Sequence, residues 1–358
     1  MKILLVEPGP SHSTIDVCNG LYAGLREIGH RVGQFRLHNR IQHADRCLTL
    51  RWNDAGSPEE NEPGINEVVF HASSEIIQYA LYHEVDWVLF VACGFVHDAV
   101  YKMLRRAGVP TAMILTESPY QDETQAETAE MVEVTWTNER TSVARLQQAC
   151  SRTSYLRHAY DPEVHKPRGK PSDRWPQHDV VFVGTLWQER LELLCQVDWS
   201  GIDLGIYGVT SLLDLEAYPQ HRAYRQYLEP YLHRGAVDES DTVDLYSQAK
   251  IGINLHRRSN TLAGGGTTTY AESMNPRCYQ QPATGGALLI TDPRKEVTET
   301  LDAPIFTNAE ELSAQIRYYL DHPTERIALA DHLRAQIAPH TYRERALQVT
   351  SDLTKGAE

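Results

Sequence analysis

Glu272-Ser-Met-Asn-Pro-Arg-Cys-Tyr-Gln-Gln-Pro-Ala-Thr-Gly-Gly-Ala-Leu-Leu-Ile-Thr-Asp292 sets a carboxylate, an arginine, an amide and a pair of glycines ahead of an apolar run of strand length. A helix opening near Asn275 would turn its first backbone N–H groups, and the positive end of its dipole, toward the space beside the strand ends. Phosphate is the natural guest for such a terminus. Gly285 and Gly286 permit a tight turn into the strand expected at residues 287–291. An ordinary helix-to-strand connection in an α/β protein has the same local pattern, so the rest of the chain must decide.

Working outward, apolar runs of strand length at 3–6, 32–35, 87–92, 112–115, 133–137 and 154–156 alternate with helical patterns at 14–28 and 96–107. Gly29 and Gly108 close those two helices. The alternation predicts a parallel, doubly wound sheet. Residues 51–64, rich in Pro, Gly, Asn and Glu, read as a surface loop. The composition changes at 161–178, where prolines forbid a continuing helix or central strand, and this stretch is expected to be a linker.

The alternation then resumes with strands at 180–183, 204–207, Val237, 251–255 and 287–290, and helices at 189–197 and 242–249. Helices at 309–322, 324–337 and 342–353 end the chain. The expected organisation is therefore a Rossmann-like domain over 1–160, a linker over 161–178 and a second Rossmann-like domain over 179–338. A C-terminal helix within 339–358 is expected to return toward the first domain. Doubly wound sheets bind ligands at the C-terminal ends of their strands, so two in tandem predict a two-ligand enzyme working across a central cleft.

Composition narrows the chemistry. With 34 Lys+Arg against 48 Asp+Glu the formal net charge is -14, which favours solubility and opposes non-specific attraction to nucleic acid. His256, Arg257 and Arg258 nonetheless form a local basic cluster after a strand. Six scattered cysteines without a Cys-x-x-Cys pair suggest neither a disulfide framework nor a zinc site. No apolar run approaches the roughly 20 residues needed to span a bilayer, and the chain opens on a strand-like Met1-Lys-Ile-Leu-Leu-Val6, so a cytoplasmic protein is expected. The absence of any Asp-x-Asp triplet gives no reason to expect a bound metal.

Five segments together carry a resemblance: Met1-Lys-Ile-Leu-Leu-Val-Glu-Pro-Gly-Pro10, Thr116-Glu-Ser-Pro-Tyr120, Val181-Phe-Val-Gly-Thr-Leu186 with Glu189-Arg190, the 275–286 block, and His340-Thr-Tyr-Arg-Glu-Arg-Ala346. In order and spacing the chain resembles GT-B-fold glycosyltransferases, and within them the spore-maturation CgeB-like branch of bacterial and phage proteins. The resemblance implies transfer of a sugar from a nucleotide-diphospho-sugar to an acceptor hydroxyl, with no cofactor. A UDP-sugar is favoured only because it is the commonest donor.

The resemblance also implies roles for residues. Glu272 and Gln280 stand with seven residues between them, where many retaining members have two glutamates, the second binding the donor ribose. Gln280 departs from that pattern, and Gln281 is the alternative frame. Arg277 and Arg190 fit the diphosphate, with Arg257 as a further cation, because guanidinium forks match phosphate oxygens and keep their charge. Gly184, Thr185, Asn275, Gly285 and Gly286 suit close backbone approach. Gly235 and Val237, in His233-Arg-Gly-Ala-Val237, correspond to the segment that meets the base.

On the acceptor side, His12, Asp16 and Glu117 are rival candidates for a catalytic base, with Glu272 the fourth candidate catalytic residue. His97 is a helix-start histidine that could line the same side. The glycine-rich 262–269 loop suggests a lid. A nucleotide-sugar 2-epimerase of similar fold, or a non-catalytic binding protein, are the alternative readings. A modified DNA base, a protein or a polysaccharide remain open as acceptor, as does the oligomeric state.

Overall fold

The computed structural model describes residues 1–10, 14–52, 58–60, 63–92, 94–233, 237–262 and 269–355. The chain forms two compact units, Met1–Arg157 together with Tyr342–Glu358, and His158–Thr341.

The first unit runs β1 (Lys2–Val6), α1 (Ile15–Glu27), β2 (Arg31–Phe35), α2 (Leu37–Thr49), β3 (Leu50–Trp52), β4 (Pro58–Glu60), α3 (Ile65–Tyr82), β5 (Trp87–Val91), α4 (Asp98–Arg106), β6 (Thr111–Leu115), α5 (Asp122–Ala129), β7 (Val134–Thr137), α6 (Val143–Leu146) and β8 (Thr153–Tyr155). Six of these strands make one parallel sheet in the order β2-β1-β5-β6-β7-β8. Every residue of β6 and β7 is buried. This explains why these strands read as continuous apolar runs: helices cover both faces of a parallel sheet.

Four helices of this unit, α2, α3, α5 and α6, lie outside the periodic segments recognised in the sequence. In α2 only Leu37, Ile41 and Ala44 are buried, a stripe too thin to stand out among its polar residues. The N-cap of α3, Gly64, makes no side-chain capping bond, so the usual start signal is missing. Two pieces of the loop expected at 51–64 form strands. Leu50–Trp52 pairs antiparallel with Pro58–Glu60, and the proline sits at the end of this two-stranded ladder, where its lack of an N–H is tolerated.

The second unit runs β9 (Val180–Val183), α7 (Gln188–Gln196), β10 (Leu204–Tyr207), α8 (Arg222–Leu228), α9 (Glu239–Gln248), β11 (Ile251–Asn254), α10 (Arg277–Thr284), β12 (Leu288–Thr291), α11 (Lys295–Thr300), α12 (Ala309–Asp321) and α13 (Pro323–Ile337). Its four strands, buried throughout, form a parallel sheet in the order β10-β9-β11-β12. No strand forms at Val237. Instead Leu232 meets the edge of β10 at Ile206 in a single parallel bridge.

The proline-rich segment at 161–178, expected as a linker, packs on this unit. Trp175 donates through Nε1 to Asp241 Oδ1 at 3.0 Å, and His165 is buried.

The last helix, α14 (Tyr342–Thr354), belongs to the first unit, as expected of a C-terminal helix that returns. Two glycines of α1 admit it. A Cβ on Gly20 would lie 2.0 Å from the Tyr342 ring, and one on Gly24 2.4 Å from the Tyr342 carbonyl oxygen. Trp136 Nε1 donates to Asp352 Oδ2 at 3.0 Å and Arg345 Nε to the Arg157 carbonyl at 3.0 Å, so the helix is also pinned by hydrogen bonds.

In the second unit the chain passes from β9 to β10 on one side and returns to β11 on the other. The crevice at the C-terminal ends of β9 and β11 is therefore a topological switch point, the usual ligand position in such a sheet. In the first unit β1 has the same relation to β2 and β5.

Candidate functional site

Two connections, after β9 and after β11, leave the switch-point end of the second sheet. After β9 come Gly184, Thr185 and the first turn of α7. The Gly184 N–H donates to the Tyr207 carbonyl at 2.9 Å, and Arg190 turns back to donate through Nη1 to the Thr185 carbonyl at 2.8 Å. The Arg190 guanidinium is thereby held at the strand end instead of on the outer face of α7.

After β11 come His256, Arg257 and Arg258, which the sequence marks as a basic cluster. The structure gives them three different roles. His256 is buried; its backbone N–H donates to Asp292 Oδ1 at 2.8 Å and its Nδ1 lies 2.7 Å from the same oxygen. Arg257 lies over the Trp187 ring with 4.0 Å to the centroid, and donates through Nε to the Ser259 carbonyl at 2.7 Å. Arg258 donates through Nη2 to Asp292 Oδ2 at 3.0 Å.

Asp292, just beyond β12, thus ties two strand ends together. Burial would raise its carboxyl pKa, but the hydrogen bonds from His256 and the Arg258 guanidinium hold it well below the usual carboxylate range. Burial lowers the His256 pKa, and the imidazole is neutral at physiological pH, with Nδ1–H donating to Asp292. Its Nε2 faces Cys278 Sγ at 3.7 Å. The Cys-His-Asp order is that of a nucleophilic triad, yet burial drives the Cys278 pKa far up and the thiol stays protonated. The arrangement is a strut, not a nucleophile.

The far end of the β11 connection leads into α10. Asn275 donates through Nδ2 to Asn254 Oδ1 at 2.8 Å, and its own Oδ1 accepts from the Cys278 N–H at 3.3 Å. One of the N–H groups expected to face a phosphate is therefore capped from within, and cationic side chains become more important to anion binding. Arg277, the first residue of α10, donates through Nη1 to Gln280 Oε1. Gln280 and Gln281 are both fully buried, but they point to different partners, since Gln281 donates through Nε2 to the Gly252 carbonyl at 3.0 Å. Gln281 is thus a bond to β11, and Gln280 is the member of the pair joined to the arginine.

The helix ends as the paired glycines require. Gly285 adopts φ 71°, the left-handed cap, and a Cβ on Gly286 would lie 2.2 Å from the Ser247 carbonyl oxygen. Glu272 precedes the helix; it accepts from Tyr270 OH at 3.0 Å and pairs with Lys295 Nζ at 3.4 Å. Val237 packs half-buried beside Val181 and Val183, and His233 stacks on Tyr207 with ring centroids 4.5 Å apart. Gly235 lies outside the described residues, as does 263–268 of the expected lid.

In the first unit, His12 is likewise outside the described residues. Asp16 lies in the first turn of α1, where its Oδ1 accepts from the Val17 N–H at 2.9 Å. Glu117 follows β6; its N–H donates to Gln125 Oε1 at 3.1 Å and its carbonyl accepts from Tyr120 and Gln121. His97 is the N-cap of α4, with Nδ1 accepting from the Ala99 N–H at 3.2 Å. Among the described residues no group of three or more His, Cys, Asp and Glu side chains is placed to hold a metal ion. No helix among them is long and apolar enough to cross a membrane.

Asp292 is the site-end residue that sequence reasoning missed. It was legible in principle: Asn254 pairs with Thr291 across β11 and β12, so the residues just beyond them must meet.

Two Rossmann-like units, with the last helix returned to the first, define the GT-B fold. Solved structures of that fold match nearly the whole chain. Anabaena HepE in complex with UDP-glucose is 13% identical, with 98% of this chain and 99% of that chain covered at a TM-score of 0.62. An E. coli trehalose-6-phosphate protein bound with UDP-2-fluoro glucose is 11% identical, with 99% of both chains covered and a TM-score of 0.64. A UDP-N-acetylglucosamine 2-epimerase is 12% identical, with 99% of this chain and 95% of that chain covered and a TM-score of 0.56.

Residues 188–351 match the family described as glycosyl transferase-like. That match takes in α10 and the ends of β11 and β12, but not β9 or the turn that follows it. No curated protein matches the chain in sequence.

Proposed function

We propose that this chain is a glycosyltransferase of the CgeB-like branch, which moves a hexosyl or pentosyl group from a nucleotide-diphospho-sugar to an acceptor hydroxyl. The observation that carries the proposal is the placement of Arg190 and Arg277 by separate hydrogen bonds, one from each side of the switch point of the second unit. The glycosyl transferase-like match over 188–351 supports the reaction class, and the UDP-sugar complexes among the fold neighbours support a nucleotide-sugar donor.

In this reading the diphosphate lies against Arg190 and Arg277, with Gly184 and Thr185 giving it close backbone approach and Gln280 serving the ribose. The bond from the anomeric carbon to the diphosphate breaks, and the acceptor oxygen forms the new bond to that carbon. The two guanidiniums stabilise the charge that develops on the departing nucleotide, the role a metal has in other sugar transferases. The Glu272 to Gln280 spacing supports retention of configuration. The acceptor lies against the first unit, where His12, Asp16 or Glu117 takes up the acceptor proton if the course is instead inverting. A cytoplasmic setting is part of the proposal, supported by the scattered spacing of the six cysteines, none in a Cys-x-x-Cys pair.

Incubation with UDP-, GDP- and TDP-glucose, followed by NMR, tests this. The proposal expects slow release of nucleoside diphosphate and glucose from one of them in the absence of acceptor. A free nucleotide-sugar isomer altered at C2 identifies an epimerase instead, and an unchanged donor in all three cases counts against any donor chemistry.

A further inference from the structure

Residues 269–276, which carry Glu272 and lead into α10, form neither helix nor strand. Their place must be set by contacts with other segments. The run Asp292-Pro-Arg-Lys-Glu296, between β12 and the first turn of α11, holds both ends of the connection from β11 to α10. At the near end Asp292 binds His256 and Arg258, and Arg294 Nη2 donates to the Arg257 carbonyl at 2.6 Å. At the far end Lys295 Nζ lies 3.4 Å from Glu272 Oε2. Glu296 brackets residues 272–274: its N–H donates to the Glu272 carbonyl at 2.9 Å, and its Oε2 accepts from the Met274 N–H at 2.7 Å.

Glu296 is fully buried, as is Met274 beside it. A buried carboxylate is costly, and an apolar side chain would fill the same place at less cost. Packing therefore does not account for the charge, whereas a charge-assisted bond to a main-chain N–H fixes a segment that has no ladder of its own. The Glu272 carboxylate is held as well. Tyr270 OH donates to its Oε1 at 3.0 Å and Lys295 pairs with its Oε2, while 15% of the side chain stays exposed. Arg277 has separate anchors, since Asn275 and Gln281 tie α10 to β11.

We propose that Glu296 and Lys295 are positioning residues for Glu272, the first acting through its main chain and the second through its carboxylate. They set the rate of donor turnover and leave nucleotide binding to the arginines. The proposal rests on the donor-site reading above and takes Glu272 as the catalytic residue of the second unit. A catalytic group displaced by about 1 Å loses a large part of its effect on rate, even where binding is intact.

The probe is whichever of UDP-, GDP- and TDP-glucose the wild-type protein hydrolyses, with the matching nucleoside diphosphate for calorimetry. Lys295→Met removes the ion pair from an exposed side chain, and Glu296→Ala removes the bracket. Each should slow hydrolysis about tenfold or more while nucleotide affinity stays within about twofold of wild type. Glu296→Gln, which keeps an acceptor for the Met274 N–H, should restore most of the rate. In a Glu272→Ala background Lys295→Met should have no further effect, because it acts through Glu272. Wild-type rates in both Lys295→Met and Glu296→Ala, alongside weakened nucleotide binding in Arg277→Ala, overturn the positioning role and leave the donor site standing. Rate and nucleotide affinity falling together with the thermal midpoint in Glu296→Ala, while Lys295→Met is unaffected, also overturn it, since the contacts are then only structural. A wild-type protein that binds nucleotide but leaves every donor unchanged overturns the positioning role, and one that binds none of the three nucleotides overturns both readings.

Discussion

Arg277 donates through Nη1 to Gln280 Oε1, three residues further along α10 and fully buried. The partner is a neutral amide where the resemblance places a glutamate, so the arginine keeps its whole charge. A carboxylate there would form a buried ion pair and neutralise the cation that the proposed donor site assigns to the diphosphate. Gln280→Glu is therefore expected to weaken binding of inorganic pyrophosphate by about tenfold, on the order of 1.4 kcal/mol, measured by titration calorimetry. Tighter pyrophosphate binding in this variant would show that Arg277 does not serve the anion.

Acidification should destabilise the second unit through its buried histidines. His165 is pushed down to about 4, chiefly by burial, with Arg277 and Arg168 adding to the effect; His256 is lowered by burial as well. For a base whose folded pKa is depressed, the unfolded chain binds the proton that the folded chain refuses. Stability is then complete above the unfolded value of about 6.5; for His165 it is lost as pH falls toward 4, at roughly 1.4 kcal/mol per pH unit, and His256 acts in the same direction. Glu239 Oε1, 3.5 Å from His165 Nε2, limits the loss once the imidazole charges. The urea midpoint should be lower at pH 5 than at pH 7.5, and His165→Gln should remove part of the difference. Equal midpoints at the two pH values would contradict the assignment.

Asp292 accepts from the His256 backbone, the His256 ring and Arg258 at once. Asp292→Ala leaves those donors unmet at the ends of β11 and β12, and should cost about 3 kcal/mol of stability in urea denaturation. Asp292→Asn, which keeps an acceptor oxygen, should cost less. If the two variants were equally stable, the multiple bonds to Asp292 would not be what joins the strand ends.

Much of the fold was readable because parallel strands covered on both faces are apolar throughout. Val180 to Val183 and Leu288 to Thr291 could hardly be anything else. The helix at 37–49 was not, since three buried side chains in thirteen residues leave little periodicity. The pairing of Leu50–Trp52 with Pro58–Glu60 rests on backbone bonds that the side chains do not announce. At the candidate site, Arg190 and Arg277 were selected on chemistry, because anion binding restricts the residue type, and the proposed donor site rests on them. The choice between Gln280 and Gln281 could not be made from neighbours in sequence; it depends on which one the helix turns toward Gly252. The basic trio after β11 looked uniform in sequence, yet only tertiary contacts give His256 to Asp292 and Arg257 to the Trp187 ring.

The paired glycines differ in what they do. A Cβ at Gly286 would sit 2.2 Å from the Ser247 carbonyl oxygen and 2.5 Å from that of Tyr246, both backbone atoms that cannot move cheaply. Gly286→Ala should destabilise by about 3 kcal/mol. Gly169→Ala, with nothing within 4 Å of the added atom, should be close to neutral. Urea denaturation of the two variants checks the contrast.

The account depends most on the second unit holding a nucleoside diphosphate through Arg277. Titration calorimetry of the wild-type chain and Arg277→Ala with UDP, GDP and TDP measures this directly. The account predicts that at least one of the three binds the wild-type protein, and that Arg277→Ala weakens that ligand by about tenfold or more, the loss of a charge-assisted hydrogen bond. Binding that is the same in both proteins, or absent from the wild type for all three nucleotides, would contradict it.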